Sequence, residues 1–180
     1  MTELIRQFGL LGVFALMVPE SACIPVPSEV TLLFSGFAVS RGWMTFPAAV
    51  AAATAGNLVG SLLAYTLGAS RVVEHIPGAR VALGRFTQMI DEQGLRAVFV
   101  ARLLPLARTF VSLPAGARRL PLTPFVALTI AGCAIWAAAF ILVGLLAGSA
   151  WGAVSGIAGK LLLGAGIVVV VVSVKRAARS

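Results

Sequence analysis

Apolar residues fill most of this chain in long runs, and charged residues interrupt the runs at only a few places. The runs at 45–68 and 122–147 are long enough to cross a bilayer, since a helix needs about 20 apolar residues to do so. A third such run covers 155–174 and ends in a basic tail. The run at 4–19 is shorter, so it predicts a tilted, partial or interfacial helix. These patterns predict an all-α membrane protein.

Two further apolar segments are broken by prolines in their middle. Residues 20–40 contain Pro25 and Pro27, and residues 97–117 contain Pro105. Proline lacks a backbone donor and ends or kinks a helix. Irregular backbone is tolerated at membrane depth only where protein or a wet cavity surrounds it. Each segment therefore predicts a re-entrant hairpin, which enters the membrane and returns to the side it came from.

The segment 69–96 is the most polar part of the chain and separates two similar halves. Within it, residues 79–93 predict an amphipathic helix that lies along the membrane surface. The only histidine, His75, stands beside an acidic residue in this segment and is interpreted as solvated rather than as a metal ligand. The first half covers 4–68 and the second covers 97–147.

The order of a partial helix, a broken hairpin and a spanning helix occurs twice, beginning near residues 4 and 79. An odd number of crossings in each half inverts the second half relative to the first, as in many transporters. We therefore predict a single membrane domain over residues 1–180. It consists of two inverted repeats, each with a re-entrant helical hairpin and a spanning helix, followed by the C-terminal spanning helix.

Composition supports the membrane class. The 180 residues are 59% hydrophobic and 11% charged, whereas soluble domains are about 45–50% apolar and about 25% charged. The net charge of +8 is interpreted as topology, with anionic lipid headgroups as its partner and without a role for nucleic acid. The two cysteines, Cys23 and Cys133, fit no metal spacing and no disulfide framework, so we expect buried apolar side chains and no metal or cofactor.

Charge bias predicts the orientation of the chain. If the N-terminus is inside and residues 4–19 cross, ten basic residues fall on the cytoplasmic side. Two, Arg41 and Lys160, fall outside. The opposite orientation reverses that ratio, and basic residues concentrate in cytoplasmic loops. We therefore predict that both termini are cytoplasmic.

Four charged residues lie within the broken apolar segments, in two sets of opposite sign. Glu20 and Glu29 belong to the first segment, and Arg102 and Arg108 flank Pro105 in the second. A charge near the bilayer centre costs from about 2.5 kcal/mol upward, so such residues are usually functional. Guanidinium keeps its charge and suits bidentate contact with phosphate. The arginines predict a phosphate site within the membrane; the alternative is that they snorkel or meet structural partners.

The glutamates complement the arginines. Burial and a nearby arginine shift the pKa of a carboxylate in opposite directions, so a carboxylate balanced between them can exchange protons near neutral pH. Glu20 and Glu29 are therefore candidates for coupling proton movement to substrate binding, with Glu20 ahead because it is nearer the apolar run. The alternative is a permanent buried salt bridge between the hairpins, and the two roles are compatible. In one continuous helix Arg102 and Arg108 would face opposite sides, but a break at Pro105 lets both face one cavity.

Small residues predict close contacts between helices. Gly56 and Gly60 form a small-xxx-small face on the first spanning helix, and Gly36 and Gly116 are expected in close packing or turns. The chain contains no P-loop, zinc motif or G-x-S-x-G. Without a nucleophile and base pair in view, we do not expect an enzyme.

Several of these motifs together resemble the DedA family of membrane proteins, also known by its VTT or SNARE-associated domain. Residues 20–36 are similar to its E…PxPxE…G signature, and residues 99–116 to its F-x-x-R-[FL]-x-P-x-x-R…A-G hallmark. Residues 56–68 are similar to G-x-x-x-G-D…Y-x-x-G, although Ser61 stands where an acidic residue often follows the second glycine. Phe, Gly and Trp within 125–136 continue the resemblance.

The resemblance implies two opposed hairpins that meet at mid-membrane and a role in moving anionic lipids. Bacterial members are associated with recycling undecaprenyl phosphate across the inner membrane, and eukaryotic relatives with phospholipid scrambling. The resulting hypothesis is a proton-coupled flippase or scramblase of lipid phosphates in the bacterial inner membrane, either undecaprenyl phosphate or a phospholipid. Arg102 and Arg108 would hold the phosphate, while Glu20 and Glu29 exchange protons. The alternatives are a proton-coupled cation or drug antiporter and a membrane assembly factor without a transported substrate.

Overall fold

The computed structural model describes residues 2–22, 27–70, 79–105 and 107–148. Within these ranges the chain is helical and contains no strand. The helices are α1 (Thr2–Ser21), α2 (Ser28–Ser40), α3 (Phe46–Ala69), α4 (Ala79–Gln93), α5 (Leu95–Arg102), α6 (Ala107–Phe110), α7 (Ser112–Ala117) and α8 (Leu122–Leu146). The predicted helix at 155–174 lies outside the described residues, as do Cys23, Pro25, His75 and Lys160.

Two of these helices, α3 and α8, are long and apolar enough to cross a membrane. Their bounds match the predicted spans within two residues, and the bounds of α4 are those predicted for the amphipathic helix. Pro47 stands in the first turn of α3, where a missing N–H removes no helical hydrogen bond. The all-α class is therefore confirmed for the described part of the chain.

The first hairpin is longer than the sequence predicted. Helix α1 continues through Pro19 to Ser21, and the N–H of Ala22 still donates to the carbonyl of Val18 at 3.0 Å. The predicted partial helix at 4–19 and the first arm of the predicted hairpin at 20–40 are therefore one continuous helix. Glu20 belongs to the last turn of α1, and the break lies between Ala22 and Ser28.

The start of α1 lies beside the turn that follows α2. A Cβ placed on Gly9 would lie 3.0 Å from Met44 Cε, and Val13 packs in the same core cluster as Met44. Helices α1 and α2 thus run in opposite directions and form a single hairpin. The chain therefore returns along α2 to the end of the molecule where α1 begins, and the charge-based layout, which took residues 4–19 as a separate crossing, stays a prediction.

Both breaks lie level with the middle of a spanning helix. Gly60 of α3 meets the end of α1, since a Cβ placed on Gly60 would lie 2.8 Å from Ser21 Cβ and 3.1 Å from Ala22 N. Gly132 of α8 meets the end of α5, where an added Cβ would lie 2.5 Å from Arg102 Cβ. This depth suits hairpins that stop halfway across a bilayer. The re-entrant interpretation stays a prediction, as does the inverted relation of the two halves.

Each half contributes a hairpin arm that packs on the spanning helix of the other half. On α2, a Cβ at Gly36 would lie 2.6 Å from Leu145 N of α8. On α7, a Cβ at Gly116 would lie 2.8 Å from the carbonyl carbon of Tyr65 of α3. These glycines let the helix backbones touch directly. The two halves are therefore interlocked around the two breaks.

The two ends of the molecule differ in charge. Arg41 lies at the same end as the start of α1, where Gly148 also meets the side chain of Ser40. Helix α4 and the end of α7 lie at the other end, joined by an ion pair between Asp91 and Arg118. That end also carries Arg96 and Arg119. The start of α1 and helix α4 thus lie at opposite ends of the molecule, and the cytoplasmic location of both termini stays a prediction.

Candidate functional site

A buried ion pair joins the two breaks. Glu20, in the last turn of α1, is 5% exposed, and Arg108, on the short helix α6, is 4% exposed. Arg108 Nη2 donates to Glu20 Oε1 and also to the hydroxyl of Ser28. The Ser28 hydroxyl in turn donates to Glu20 Oε1 at 3.2 Å. Residues on both sides of the first break therefore hold one guanidinium from beside the second break.

Local backbone structure places these groups. Helix α5 ends at Arg102, and the chain turns through residues 103–105 before α6 begins. The N–H of Arg108 donates to the carbonyl of Leu104 at 3.1 Å, which starts the next helical turn. Pro105 lies exposed within this turn, and Pro27 lies exposed just before α2. Each of these prolines marks a break, while Pro25 falls outside the described residues.

An aromatic ring of α8 lies against the Arg108 guanidinium. The Cζ atom of Arg108 is 4.9 Å from the ring centroid of Trp136, a distance at which the negative face of an indole attracts a cation. Trp136 is itself supported by Phe140, with 4.7 Å between their ring centroids. The arginine is thus held by a carboxylate, a hydroxyl and an aromatic face.

Arg102 is buried but uses its guanidinium differently. Its Nη1 donates to the backbone carbonyl of Arg108 at 2.7 Å. Its Nη2 donates to Ser112 Oγ at 2.8 Å and to Thr129 Oγ1 at 3.3 Å. The Cζ atom lies 5.8 Å from the ring centroid of Phe125. Arg102 therefore ties α5 to α6, α7 and α8 and fixes the backbone that carries Arg108.

The second predicted carboxylate, Glu29, lies near Glu20 but takes no part in the ion pair with Arg108. It stands in the first turn of α2 and is half-buried. It is close enough to Glu20 for the two carboxylates to repel each other. The structure therefore joins Glu20 to Arg108 directly, with Arg102 as the support behind Arg108 and Glu29 near the Glu20 carboxylate.

Three polar atoms at the ion pair lack a partner among the described residues. Arg108 Nε, Glu20 Oε2 and Trp136 Nε1 are buried, and within the part of the chain that the structure describes none has a hydrogen-bond partner. A buried polar atom left unpaired costs about 1–3 kcal/mol. Buried groups of this kind usually meet water, an ion or a ligand. The site thus offers two donors and one acceptor beyond the ion pair itself.

A second polar cluster adjoins the site on α3. The Ser21 hydroxyl donates to Asn57 Oδ1 at 2.6 Å. Ser61, at the position that is often acidic in the family the sequence resembles, lies one turn further along and is fully buried. Asn57 and Ser61 sit on the same helix as Gly56 and Gly60, whose missing side chains let α1 approach. The polar side chains of α3 therefore face the end of the helix that carries Glu20.

Sequence reasoning missed several residues that complete the site. Ser28 and Ser112 were not singled out, although hydroxyls beside a helix break within an apolar run were an available signal. Asn57 was a second signal, because an amide is unusual in an otherwise apolar helix. Trp136 entered only through the family resemblance. Among the described residues, no group of three His, Cys, Asp or Glu side chains could hold a metal ion.

Comparison with known proteins identifies the family. The sequence profile of the VTT domain matches residues 26–146. This chain belongs to the VTT domain family. The resemblance to DedA proteins is thereby confirmed, and the chain is a membrane protein whose similar VTT relatives come from bacteria.

Three relatives illustrate the similarity. The chain is 30% identical over 169 residues to an alkaline phosphatase-like protein of Lactococcus lactis subsp. cremoris, covering 86% of this chain and 78% of the relative. It is 30% identical over 148 residues to undecaprenyl phosphate transporter A of Bacillus subtilis, covering 74% and 71%. It is 28% identical over 154 residues to undecaprenyl phosphate transporter A of Staphylococcus aureus, covering 79% and 76%. No solved structure matches the chain.

Proposed function

We propose that this protein moves lipids with a phosphate headgroup across the bacterial inner membrane, as a proton-coupled flippase or scramblase. The observation that carries the proposal is the buried Arg108, which holds a carboxylate from the opposite hairpin where a phosphate can bind. VTT relatives named undecaprenyl phosphate transporter A support a polyprenyl phosphate as the substrate. A phospholipid offers a similar phosphate and is the second candidate.

Glu20 acts as an internal anion in this proposal. Carboxylate and phosphate bind guanidinium through the same charge-assisted hydrogen bonds, so the two compete for Arg108. Uptake of a proton by Glu20 removes its charge and favours phosphate, and proton release restores the ion pair. Glu29 adds a second negative charge close to Glu20.

We assign different roles to Arg102 and Arg108. The sequence predicted that both hold the phosphate, but the contacts favour Arg108 for this role. Arg102 donates to the backbone of Arg108 and to hydroxyls of α7 and α8. It therefore serves as a positioning residue: it fixes the turn at 103–105 so that the Arg108 guanidinium lies beside Glu20, where the phosphate would bind.

Movement of the hairpins would expose the headgroup to each side in turn. Both breaks end at mid-depth of a spanning helix, so a headgroup bound at Arg108 has only half of the bilayer left to cross. The lipid tail stays in hydrocarbon throughout. Because the glycine contacts of α2 and α7 hold each hairpin against the other half, rearrangement of one hairpin acts on both halves.

Reconstitution tests this proposal. The purified protein is placed in liposomes, and the appearance of a phosphate lipid in the opposite leaflet is followed over time. We expect Arg108→Gln to abolish translocation, while Arg118→Gln, which removes an exposed arginine from its ion pair with Asp91, leaves it unchanged. Translocation by Arg108→Gln at the wild-type rate would refute the phosphate assignment.

The same vesicles separate the other hypotheses. Cation flux without lipid dependence would favour an antiporter that uses the glutamates. Release of inorganic phosphate from the lipid would favour hydrolysis, as the name of the Lactococcus lactis relative suggests for that protein. Silent vesicles, together with a stable complex purified from cells, would favour an assembly factor.

A further inference from the structure

Trp136 is the aromatic member of the site, and sequence reasoning assigned it no role of its own. Its ring face meets Arg108, and its Nε1 atom is buried without a hydrogen-bond acceptor among the described residues. The N–H lies in the plane of the ring, so the cation above the face cannot satisfy it. A buried indole N–H normally has a partner. This donor is therefore open to an acceptor other than the described residues.

The other arginine gives an internal comparison. Arg102 lies over the face of Phe125, which shows that a hydrocarbon ring on α8 is sufficient to cover a buried guanidinium in this fold. Phe125 brings no donor, and both Nη atoms of Arg102 donate to protein acceptors. At Arg108 the ring is an indole, which brings an N–H that no described residue accepts. The arginine covered by phenylalanine is the one proposed to support the fold, and the arginine covered by the indole is the one proposed to bind phosphate.

The shape of the anion explains why the donor is unused while Glu20 occupies the site. A carboxylate is planar and has two oxygens, of which Glu20 Oε1 takes the contacts with Arg108 Nη2 and Ser28. Arg108 Nε and Trp136 Nε1 are left unpaired in this arrangement. A phosphate is tetrahedral, so its terminal oxygens point in several directions and can accept from donors that a single carboxylate cannot reach.

We propose that Trp136 is an anion-binding residue, which supports Arg108 with its ring face and donates its indole N–H to an oxygen of the bound phosphate. The inference rests on the proposed function and deepens it, since it gives the site a reason to prefer phosphate over carboxylate. Arg108 Nε supplies the second donor to the same headgroup. Discrimination between the substrate and the internal anion Glu20 then comes from the tetrahedral shape of the headgroup.

Matched ligands and matched variants test this role. Dodecyl phosphate and dodecanoate have the same chain and differ in headgroup, and their affinities for the purified protein are measured by calorimetry. Trp136→Phe keeps an aromatic face over Arg108 and removes only the N–H. We expect it to bind dodecyl phosphate about ten-fold more weakly and to bind dodecanoate as before. Trp136→Leu removes the face as well and weakens both ligands.

A second measurement uses the native tryptophan. With Trp43→Phe and Trp151→Phe, Trp136 is the only tryptophan in the chain, and its ¹⁵N-labelled indole N–H gives one resonance. Dodecyl phosphate is expected to shift this resonance downfield, and dodecanoate to leave it nearly unmoved. This readout reports the hydrogen bond itself and does not require any substitution at Trp136.

The outcomes distinguish this inference from the proposed function. If Arg108→Gln abolishes dodecyl phosphate binding while Trp136→Phe binds it as tightly as wild type, Trp136 is only a packing residue and the inference fails alone. An indole resonance that stays unmoved at saturating dodecyl phosphate would likewise overturn the inference. If Arg108→Gln binds dodecyl phosphate as well as wild type, the phosphate site itself is misassigned and both proposals fall.

Discussion

The ion pair between Glu20 and Arg108 makes a prediction about stability that needs no ligand. Arg108→Gln leaves a carboxylate at a position that is 5% exposed, with the Ser28 hydroxyl as its remaining donor among the described residues. Breaking a buried pair by removing one partner costs about 3–5 kcal/mol. In a domain of this size, about 1 kcal/mol changes the unfolding temperature by about 2–4 °C. We therefore expect Arg108→Gln to lower that temperature by about 10 °C.

The reverse substitution and the double variant complete a cycle. Glu20→Gln leaves the guanidinium charged, with Ser28 and the Trp136 face as its remaining partners, so we expect a loss of similar size. The double variant Glu20→Gln/Arg108→Gln buries no unpaired charge at these two positions and should regain at least about half of the loss. Thermal unfolding of each variant in lipid nanodiscs gives the coupling energy between the two residues.

The exposed ion pair provides the control. Asp91 and Arg118 are each about half exposed (48% and 49%), and exposed pairs contribute about 0–1 kcal/mol. The cycle Asp91→Asn/Arg118→Gln should therefore show little coupling. If the losses from Glu20→Gln and Arg108→Gln simply add in the double variant, the two side chains are not paired in the membrane, and the reasoning is refuted.

Three further predictions concern the surroundings of the site. Gly36→Ala should lower the unfolding temperature by several degrees, because the new Cβ would lie 2.6 Å from Leu145 N and force α2 away from α8. A Cβ at Gly12 would have no neighbour within 4 Å, so Gly12→Ala should leave the unfolding temperature unchanged. Equal changes in unfolding temperature for the two variants would show that α2 and α8 are not in contact. Tyr65→Phe removes the donor that binds the carbonyl of Leu120 at 2.6 Å and should cost about 1 kcal/mol in an unfolding measurement; an unchanged protein would mean that this bond does not form. Arg102→Lys loses the fork that reaches three acceptors and should slow translocation in liposomes, with a smaller loss of dodecyl phosphate affinity than Arg108→Lys shows. Equal losses of affinity in the two lysine variants would mean that Arg102 also holds the phosphate.

The spanning helices were predictable because hydropathy and length determine them directly. Helices α3, α4 and α8 begin and end close to the predicted residues. The chain also breaks in the two proline-containing segments where helix interruption was expected. These features depend on local composition and on the loss of backbone donors at proline, so no knowledge of tertiary contacts was needed.

The extent of α1 was misjudged because Pro19 was taken as the end of the helix. Proline removes a single backbone donor, and α1 continues for two more residues to Ser21. This small difference places Glu20 within α1 instead of at the start of the predicted hairpin. It also joins α1 and α2 into one hairpin, whereas the charge count treated residues 4–19 as a separate crossing.

The sequence predicted which charged residues share the site, but not which of them contact each other. Opposite charges in two broken segments suggested that the segments meet, but charge alone does not decide which arginine faces which carboxylate. Arg102 and Arg108 look equivalent in sequence. Their roles differ because the turn at 103–105 places the backbone carbonyl of Arg108 beside the Arg102 guanidinium, a contact that no spacing rule predicts.

The most direct test of the central claim is the affinity of Glu20→Gln for a phosphate amphiphile. If Glu20 and phosphate compete for Arg108, removing the carboxylate should strengthen dodecyl phosphate binding by about ten-fold or more, since ten-fold corresponds to only about 1.4 kcal/mol of released ion pairing. Calorimetry on the wild type and on Glu20→Gln at neutral pH measures this change. Equal or weaker binding by Glu20→Gln would contradict the claim that the two anions share one guanidinium.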